Sequence, residues 1–482
     1  MFLSFLCIER EATSQNSLPY SSVLTVPHAA AGDLMYTKIH LSKTLSIRNS
    51  FQGRPWQHFS LSSEQRFVLG LNFWEQMNMA TVNFFKLCCL ASKWNATTVK
   101  PFTYNSRFYG LRKFKADDYV NNSLPAKELD LLYNIDSLNS VLYRHGIPQL
   151  VNYDDFLLHS VRNLTVLHFI AEREVREVPV MQGLVKEELP RLFQYDNVVD
   201  CSRLLRGYAT KLLTALTAET EHVGVKSFQF DKYFCINMSQ MTSPQEIARK
   251  TGLKRFGNFS VVVVNWRGMT NQTMISSAKG LHLNNRVLMQ DSCHYELPPT
   301  FDNIVAHSDV VLRAVQQHME HLNLDRFTAV HFRSEKMGTR SPRFPGSFER
   351  CFLEALGIRD RILRSRINLT AITLVDYGPY SSDTCKKCRG STEMRRLLRK
   401  WHVKTLPHFD PTVTGASEDS GFAAAVEMEL LVHGDYLILC GGGAFQSQAA
   451  LRFLKRNPKD GRQRLFRVCL DDPSVQRVMR TG

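Results

Sequence analysis

Phe327-Thr328-Ala329-Val330-His331-Phe332-Arg333 is the stretch on which the reading of the fold turns. Its first four residues are an apolar, β-branched run, and an amphipathic pattern over residues 303–322 leads into it, the order expected of a helix feeding a buried parallel strand. His331 and Arg333 then fall at the strand's C-terminal end. In open α/β sheets that end faces the ligand crevice, where a guanidinium can meet a phosphate through paired, charge-assisted hydrogen bonds. For an isolated His-x-Arg the plainer reading is a satisfied core histidine and an arginine ending its strand in water.

Working outward, the C-terminal half alternates strands and helices. Residues 260–266 (SVVVVNW), 369–375, 403–406, 436–440 and 465–469 read as strands, and 347–367, 392–401, 420–433 and a segment after Gly443 as helices. That alternation implies a parallel, doubly wound sheet. A second βαβ unit lies at residues 66–102: strand 66–72, helix 75–94 with Met79, Val82, Phe85, Leu87 and Leu90 at helical spacing, and strand 97–102 closed by Pro101. Its turn, Asn72-Phe73-Trp74-Glu75-Gln76, lacks the glycines that let a backbone cradle a pyrophosphate. Between the units, 129–145 and 202–218 read as helices, the latter capped by Ser202, 164–170 as a strand, and 172–189, broken by Pro179 and Gly183, as surface structure. The expected fold class is therefore α/β, with an irregular leader or stem over 1–60, one Rossmann-like domain over 61–254 and another over 255–482, their boundary near residues 251–258. Two such units in tandem make a central cleft.

Composition narrows the classes. The chain has 482 residues with 44% hydrophobic content, enough for a large core. No apolar run reaches the roughly 18 residues of a membrane span. The opening Met1-Phe2-Leu3-Ser4-Phe5-Leu6-Cys7-Ile8 is too short and has no basic lead for a signal peptide, which leaves a chain that begins inside a longer protein or a cytosolic one. Glycosylation sequons favour the first: they occur at Asn95, Asn121, Asn163, Asn237, Asn258, Asn271 and Asn368. Chance would give about three or four. Eleven cysteines, including Cys88-Cys89 and Cys385-Lys386-Lys387-Cys388, suit an oxidising compartment, with the last pair read as a loop disulfide rather than half a zinc site. The net charge of +15 suits a polyanionic partner. Its densest run is Lys386, Lys387, Arg389, Arg395, Arg396, Arg399, Lys400 and Lys404; from Thr392 to Trp401 the apolar Met394, Leu397, Leu398 and Trp401 share one helical face, so most of these charges read as a solvated face. No recognisable nucleic-acid module interleaves them with aromatic residues.

One further constellation belongs with the opening strand. Tyr436-Leu437-Ile438-Leu439-Cys440 runs into Gly441-Gly442-Gly443-Ala444-Phe445-Gln446-Ser447 and a helix. Glycines at a strand-to-helix turn expose amide N–H groups beside a helix N-terminus, which is an anion site; the alternative is a tight turn with a core phenylalanine.

Together, His331 and Arg333, then Glu427 in a helix, Asp435 before a strand, and the turn Gly443-Ala444-Phe445 resemble the GDP-fucose-dependent fucosyltransferases of the protein O-fucosyltransferase superfamily. The likeness covers roughly residues 255–475, and more weakly 66–110. Two serines usually precede the phenylalanine of that family; here Gly443 and Ala444 stand there, leaving backbone N–H groups to meet the pyrophosphate. The family's Gly-rich turn with Asn-Gln is replaced by residues 72–76. The resemblance implies a GT-B architecture with the acceptor on the N-terminal side, a GDP-sugar bound mostly by the C-terminal domain, and no essential metal or other cofactor.

On that reading His331, Arg333, Glu427, Asp435, Gly443, Ala444 and Phe445 bind the nucleotide-sugar. Arg333 also meets the charge that builds on the leaving β-phosphate. Glu335 and Glu75 are carboxylates at the expected cleft that would deprotonate an acceptor hydroxyl, and Asn265, Trp266 and Arg267 line the same crevice. The expected activity is transfer of fucose from GDP-fucose to a protein or glycan hydroxyl in the endoplasmic reticulum or Golgi lumen, with any membrane anchor lying before this chain. The alternatives are a degenerate relative that binds glycan or nucleotide without catalysis, and a basic polyanion-binding protein. Acceptor, hexose and oligomeric state are not specified by these residues.

Overall fold

The computed structural model describes residues 66–71, 73, 77–104, 106–112, 126–159, 163–170, 184–220, 228–237, 243–253, 260–264, 304–334, 337, 347–366, 368–376, 389–410 and 419–469. In chain order its elements are β1 (Phe67–Gly70), α1 (Met77–Lys93), β2 (Thr97–Thr98), β3 (Phe102–Tyr104), β4 (Arg107–Tyr109), β5 (Lys127–Glu128), α2 (Ile135–Arg144), α3 (Tyr153–His159), β6 (Asn163–Ile170), α4 (Leu184–Leu192), β7 (Val198–Asp200), α5 (Arg206–Thr220), β8 (Gln229–Asn237), α6 (Pro244–Thr251) and β9 (Ser260–Val264). There follow α7 (Asp309–His321), β10 (Phe327–Arg333), α8 (Ser347–Ser365), β11 (Thr370–Asp376), α9 (Arg389–Lys400), α10 (Ser420–His433), β12 (Tyr436–Cys440), α11 (Ala444–Arg456), α12 (Gly461–Arg464) and β13 (Leu465–Val468).

Two mostly parallel sheets carry the fold, the α/β, GT-B-type arrangement expected. The first has the order β2-β1-β9-β6-β8-β7, parallel except for β7, and the second is β11-β10-β12-β13, parallel throughout. A small antiparallel sheet, β4-β3-β5, sits beside them. One face of the first sheet packs on α3, α4 and α5 through Phe156, Leu189 and Leu212. Its other face shares a core with α1, α2, α7, α10 and α11, through residues such as Phe84, Val141, Val315, Val426 and Ala449. The second sheet is covered inside by α10 and α11 and outside by α8 and α9. Burial on both faces is what the continuous apolar run of β10 required: six of its seven residues are buried.

Several sequence expectations are corrected at this level. The run at 260–264, read with the C-terminal half, lies in the middle of the first sheet, pairing with β1 and β6, so the chain passes to the second sheet only after Val264. Nothing in a run of valines distinguishes one parallel neighbour from another. Residues 97–102 divide between two sheets. Ser202 does not cap a helix; its hydroxyl donates to Asp200 Oδ1 at 2.6 Å and accepts from Tyr233 N at 2.9 Å, and the helix begins at Arg206. The helix read over 129–145 is a 3₁₀ turn at Leu129–Leu131 followed by α2, which begins at Ile135 and is capped by Asn134 accepting from Ser137 N. Residues 403–406 form no strand, although Leu406 N donates to Thr373 O at 2.8 Å. Trp401 does not join the buried face of α9: it is 46% exposed beneath Lys400 Nζ. The leader at 1–60, the turn residues Asn72, Trp74, Glu75 and Gln76, the Cys385–Cys388 pair and most of 172–189 lie outside the described residues.

Among the described residues two disulfides join both partners, Cys201–Cys235 and Cys351–Cys469, the second closing a separation of 118 residues, and Cys89 is disulfide-bonded as well. A loop of that length restricts the unfolded chain by on the order of 5 kcal/mol. Cys88 and Cys440 are buried free thiols, and burial raises both pKa values, that of Cys88 to about 12. Among the described residues no helix is long and apolar enough to cross a membrane.

Candidate functional site

In the second sheet β10 pairs with β11 on one side and β12 on the other, so successive crossovers leave β10 in opposite directions. The crevice of a doubly wound sheet opens at such a reversal, beyond the C-terminal ends of the two strands. Phe332 is in register with Cys440, which sets Arg333 beside the turn that follows β12. Gly441, Gly442 and Gly443 have φ of 113°, 77° and 97°, conformations that L side chains rarely adopt. Space imposes the same choice: a Cβ on Gly441 would lie 2.7 Å from Arg333 O, and one on Gly443 would strike the Arg333 guanidinium. The triple glycine is therefore the seat on which Arg333 rests.

Gln446 holds that seat in place. Its Oε1 accepts from Gly442 N at 2.7 Å, which fixes the amide orientation, and its Nε2 faces His331 Nδ1 at 2.8 Å, Cys440 O at 2.9 Å and His331 O at 3.1 Å. Since Nε2 can only donate, Nδ1 of His331 accepts, and a neutral ring carries its proton on Nε2. Burial lowers the His331 pKa to about 4, in keeping with that neutral form. The Phe445 ring lies against the imidazole with centroids 5.1 Å apart. His331 is thus a buried strut under the turn.

Arg333 is mostly covered, with its Nε 3.8 Å from Asp376 Oδ2 at the end of β11. Ser334 Oγ donates to Asp376 O at 2.9 Å and ties the ends of the two strands together. On the other side of Arg333, α11 starts at Gly443 with no side-chain cap on its first N–H groups. A guanidinium and the positive end of a helix, side by side, form a site for an anion.

Glu427, in α10, accepts from Phe409 N at 3.0 Å and pairs with His408 Nδ1 at 2.9 Å, the bond that raises the His408 pKa. It therefore holds His408 and Phe409, in the described part of the segment after α9. Besides burial, which dominates, Asp376 and Glu427 raise the His331 pKa and Arg333 and His408 lower it. Asp435 is placed elsewhere. Its Oδ2 accepts from Phe327 N at 3.2 Å and its Oδ1 pairs with Arg326 at 3.3 Å, at the N-terminal ends of β10 and β12. That is the edge opposite the crevice, about 20 Å away at ~3.3 Å per residue.

Of the residues singled out in the sequence, His331, Arg333, Gly443, Ala444 and Phe445 come together, Glu427 braces the adjoining segment, and Asp435 does not join them. Glu75, Glu335, Asn265, Trp266 and Arg267 lie outside the described residues. Gln446 and Asp376 were missed. A glutamine in the first turn of a helix after a Gly-rich strand end was the available signal for Gln446. Nothing in sequence marked Asp376, which ends an ordinary strand. Among the described residues no group of three His, Cys, Asp or Glu side chains is arranged to hold a metal ion.

No protein-family model matches the chain, nor does any curated protein. Among solved structures it is similar to POFUT1 in its apo form, at 10% identity and a TM-score of 0.42 over 84% of this chain and 99% of that one. It is similar to POFUT1 in complex with GDP-fucose, at 9% identity and a TM-score of 0.43 over 85% and 99% of the two chains. For POFUT1 in complex with GDP the values are 10%, 0.41, 84% and 99%. These are distant likenesses, and the chemistry below rests on the chain's own residues.

Proposed function

We propose that this chain is a glycosyltransferase that takes a sugar, fucose first among the candidates, from its GDP conjugate and passes it to a protein or glycan hydroxyl without an essential metal. The observation that carries the reading is Arg333 packed against Gly443 at the uncapped start of α11, at the switch point of a doubly wound sheet. A sugar leaving a nucleoside diphosphate builds negative charge on the β-phosphate. A guanidinium, turn amides and a helix N-terminus, already oriented, are the groups that stabilise such charge. A charge-assisted bond of this kind contributes about 1.5 to 3 kcal/mol. Asp376 and Gln446 hold Arg333 and the turn at fixed distance, so little reorganisation accompanies binding. The lumen of the secretory pathway is the proposed location, with which the two disulfides are compatible.

The test is calorimetric titration of GDP, without metal, into the wild-type protein and Arg333→Ala. Micromolar binding that the variant loses supports the reading; no binding by either overturns it. A second reading has its own support. Gly443 and Ala444 offer no hydroxyl to a pyrophosphate, as a relative that binds nucleotide or glycan without catalysis would allow. Hydrolysis of GDP-fucose separates the two. The polyanion reading is weakened, because Arg396 pairs with Glu349 and Glu393, and Lys400 with Glu349, so part of the densest basic run is neutralised locally.

A further inference from the structure

The seven sequons separate once the chain is folded. Asn121, Asn258 and Asn271 lie outside the described residues. Asn163 opens β6, an interior strand of the first sheet, and the Thr165 of its sequon is buried. Asn237 ends β8, half-buried, with its N–H donating to Asn197 O at 2.9 Å. Asn95 and Asn368 differ from these. Each is exposed, each is a single left-handed residue (φ 55° and 64°) just before a strand, and neither side-chain amide is hydrogen-bonded among the described residues. A left-handed turn asks only for asparagine or glycine. The threonine two residues on, Thr97 in one case and Thr370 in the other, is what completes an acceptor.

Their placement is shared as well. Asn95 precedes β2, where Thr97 N donates to Arg66 O, and so sits at the N-terminal edge of the first sheet. Asn368 precedes β11, where Thr370 N donates to Arg326 O, at the N-terminal edge of the second. The second edge is the one that holds Asp435, opposite the crevice at Arg333 and Gly443.

We propose that Asn95 and Asn368 are N-glycosylation sites, carrying glycans at the sheet edges away from the strand C-termini and leaving the crevice open. The inference rests on the lumenal location proposed above and not on the transferase activity. In the modification the asparagine Nδ2 attacks the anomeric carbon of a lipid-diphosphate-linked oligosaccharide. The N-glycosidic bond forms as the C–O bond to the diphosphate breaks, its electron pair leaving with the diphosphate, and the amide gives up one proton.

The full chain, directed into the endoplasmic reticulum of a eukaryotic host by a cleavable leader, is recovered and its disulfides mapped without reduction. Peptide N-glycosidase digestion followed by mass spectrometry is expected to return the peptides holding Asn95 and Asn368 with aspartate at those positions. Thr97→Ala and Thr370→Ala each remove one step of the glycosidase-sensitive mobility shift, while Thr97→Ser and Thr370→Ser keep it; these leave the asparagine undisturbed in its turn. Unmodified asparagine at either site in protein carrying the Cys201–Cys235 and Cys351–Cys469 bonds overturns the proposal. So does a chain that leaves the compartment without those bonds. GDP titration of the deglycosylated protein is a separate readout, and its failure breaks the transferase reading alone.

Discussion

Two helices begin at the crevice end of the second sheet, and their N-termini are handled in opposite ways. α10 has 14 residues and ends beside Asp435, so it starts about 20 Å away at the crevice end, at ~1.5 Å per residue. There Asp419, itself buried, accepts from Gly421 N at 2.6 Å and Phe422 N at 3.2 Å, closing the terminus with the chain's own carboxylate. α11 starts at Gly443 with no such cap, and the neighbour it has is cationic, Arg333. A guanidinium against the positive end of a helix is repelled unless an anion lies near, and the Asp376 carboxylate, 3.8 Å from Arg333 Nε, is one such anion. The first terminus is closed by the chain's own carboxylate, the second is the one on which the proposed anion site rests, and the two are told apart by which charge the fold brings to them.

The comparison can be broken in four ways. The largest effect is expected for Arg333→Ala, a loss of GDP affinity of at least tenfold in calorimetry, from about 1.5 to 3 kcal/mol of charge-assisted bonding. Unchanged affinity would remove the functional half of the contrast. Gly443→Ala comes next. A residue with φ of 97° and a Cβ against Arg333 should lower unfolding free energy by about 1 to 2 kcal/mol and weaken GDP binding together, as read by urea denaturation and titration.

The third concerns pH. The His331 pKa is about 4 in the folded chain against 6.5 for an ordinary histidine, so below pH 6.5 the unfolded chain takes up the proton first. Stability is full well above that value and falls as pH drops toward 4, by about 1.4 kcal/mol at pH 5.5 for this one histidine. His307, also held at about 4, and His168, at about 3, add to the slope, so the His331 share is read by comparing wild type with His331→Asn. An identical slope in the variant would show that His331 is not the buried neutral strut described. The smallest effect is Asp419→Ala, about 1 kcal/mol in stability with GDP affinity unchanged. A matching loss of affinity would mean that α10, too, serves the ligand.

Much of the second sheet was legible because fully buried parallel strands read as continuous apolar runs, as at 327–333 and 436–440. The glycine turn was legible because positive φ restricts the residue type. Asp435 was misplaced for an instructive reason. A residue just before a parallel strand lies at its N-terminal edge, and the crevice is at the other, so its position in sequence already argued for a structural role. The strand at 260–264 could not be assigned, since four valines fit any interior position and its partners are more than 85 residues away. Ser202 looked like a cap until β8 supplied Tyr233 N.

The sequence by itself determined the alternation of strands and helices, the strand end that carries Arg333 and the turn that only glycine can make. These follow from local periodicity and from backbone sterics, which act within a few residues. Tertiary structure alone decided that Arg333 rests on Gly443, that Gln446 joins β10 to β12 across 115 residues, and that one helix start is closed by aspartate while the other faces arginine. Those pairings depend on which strands become neighbours, and that is set by burial of whole faces against one another.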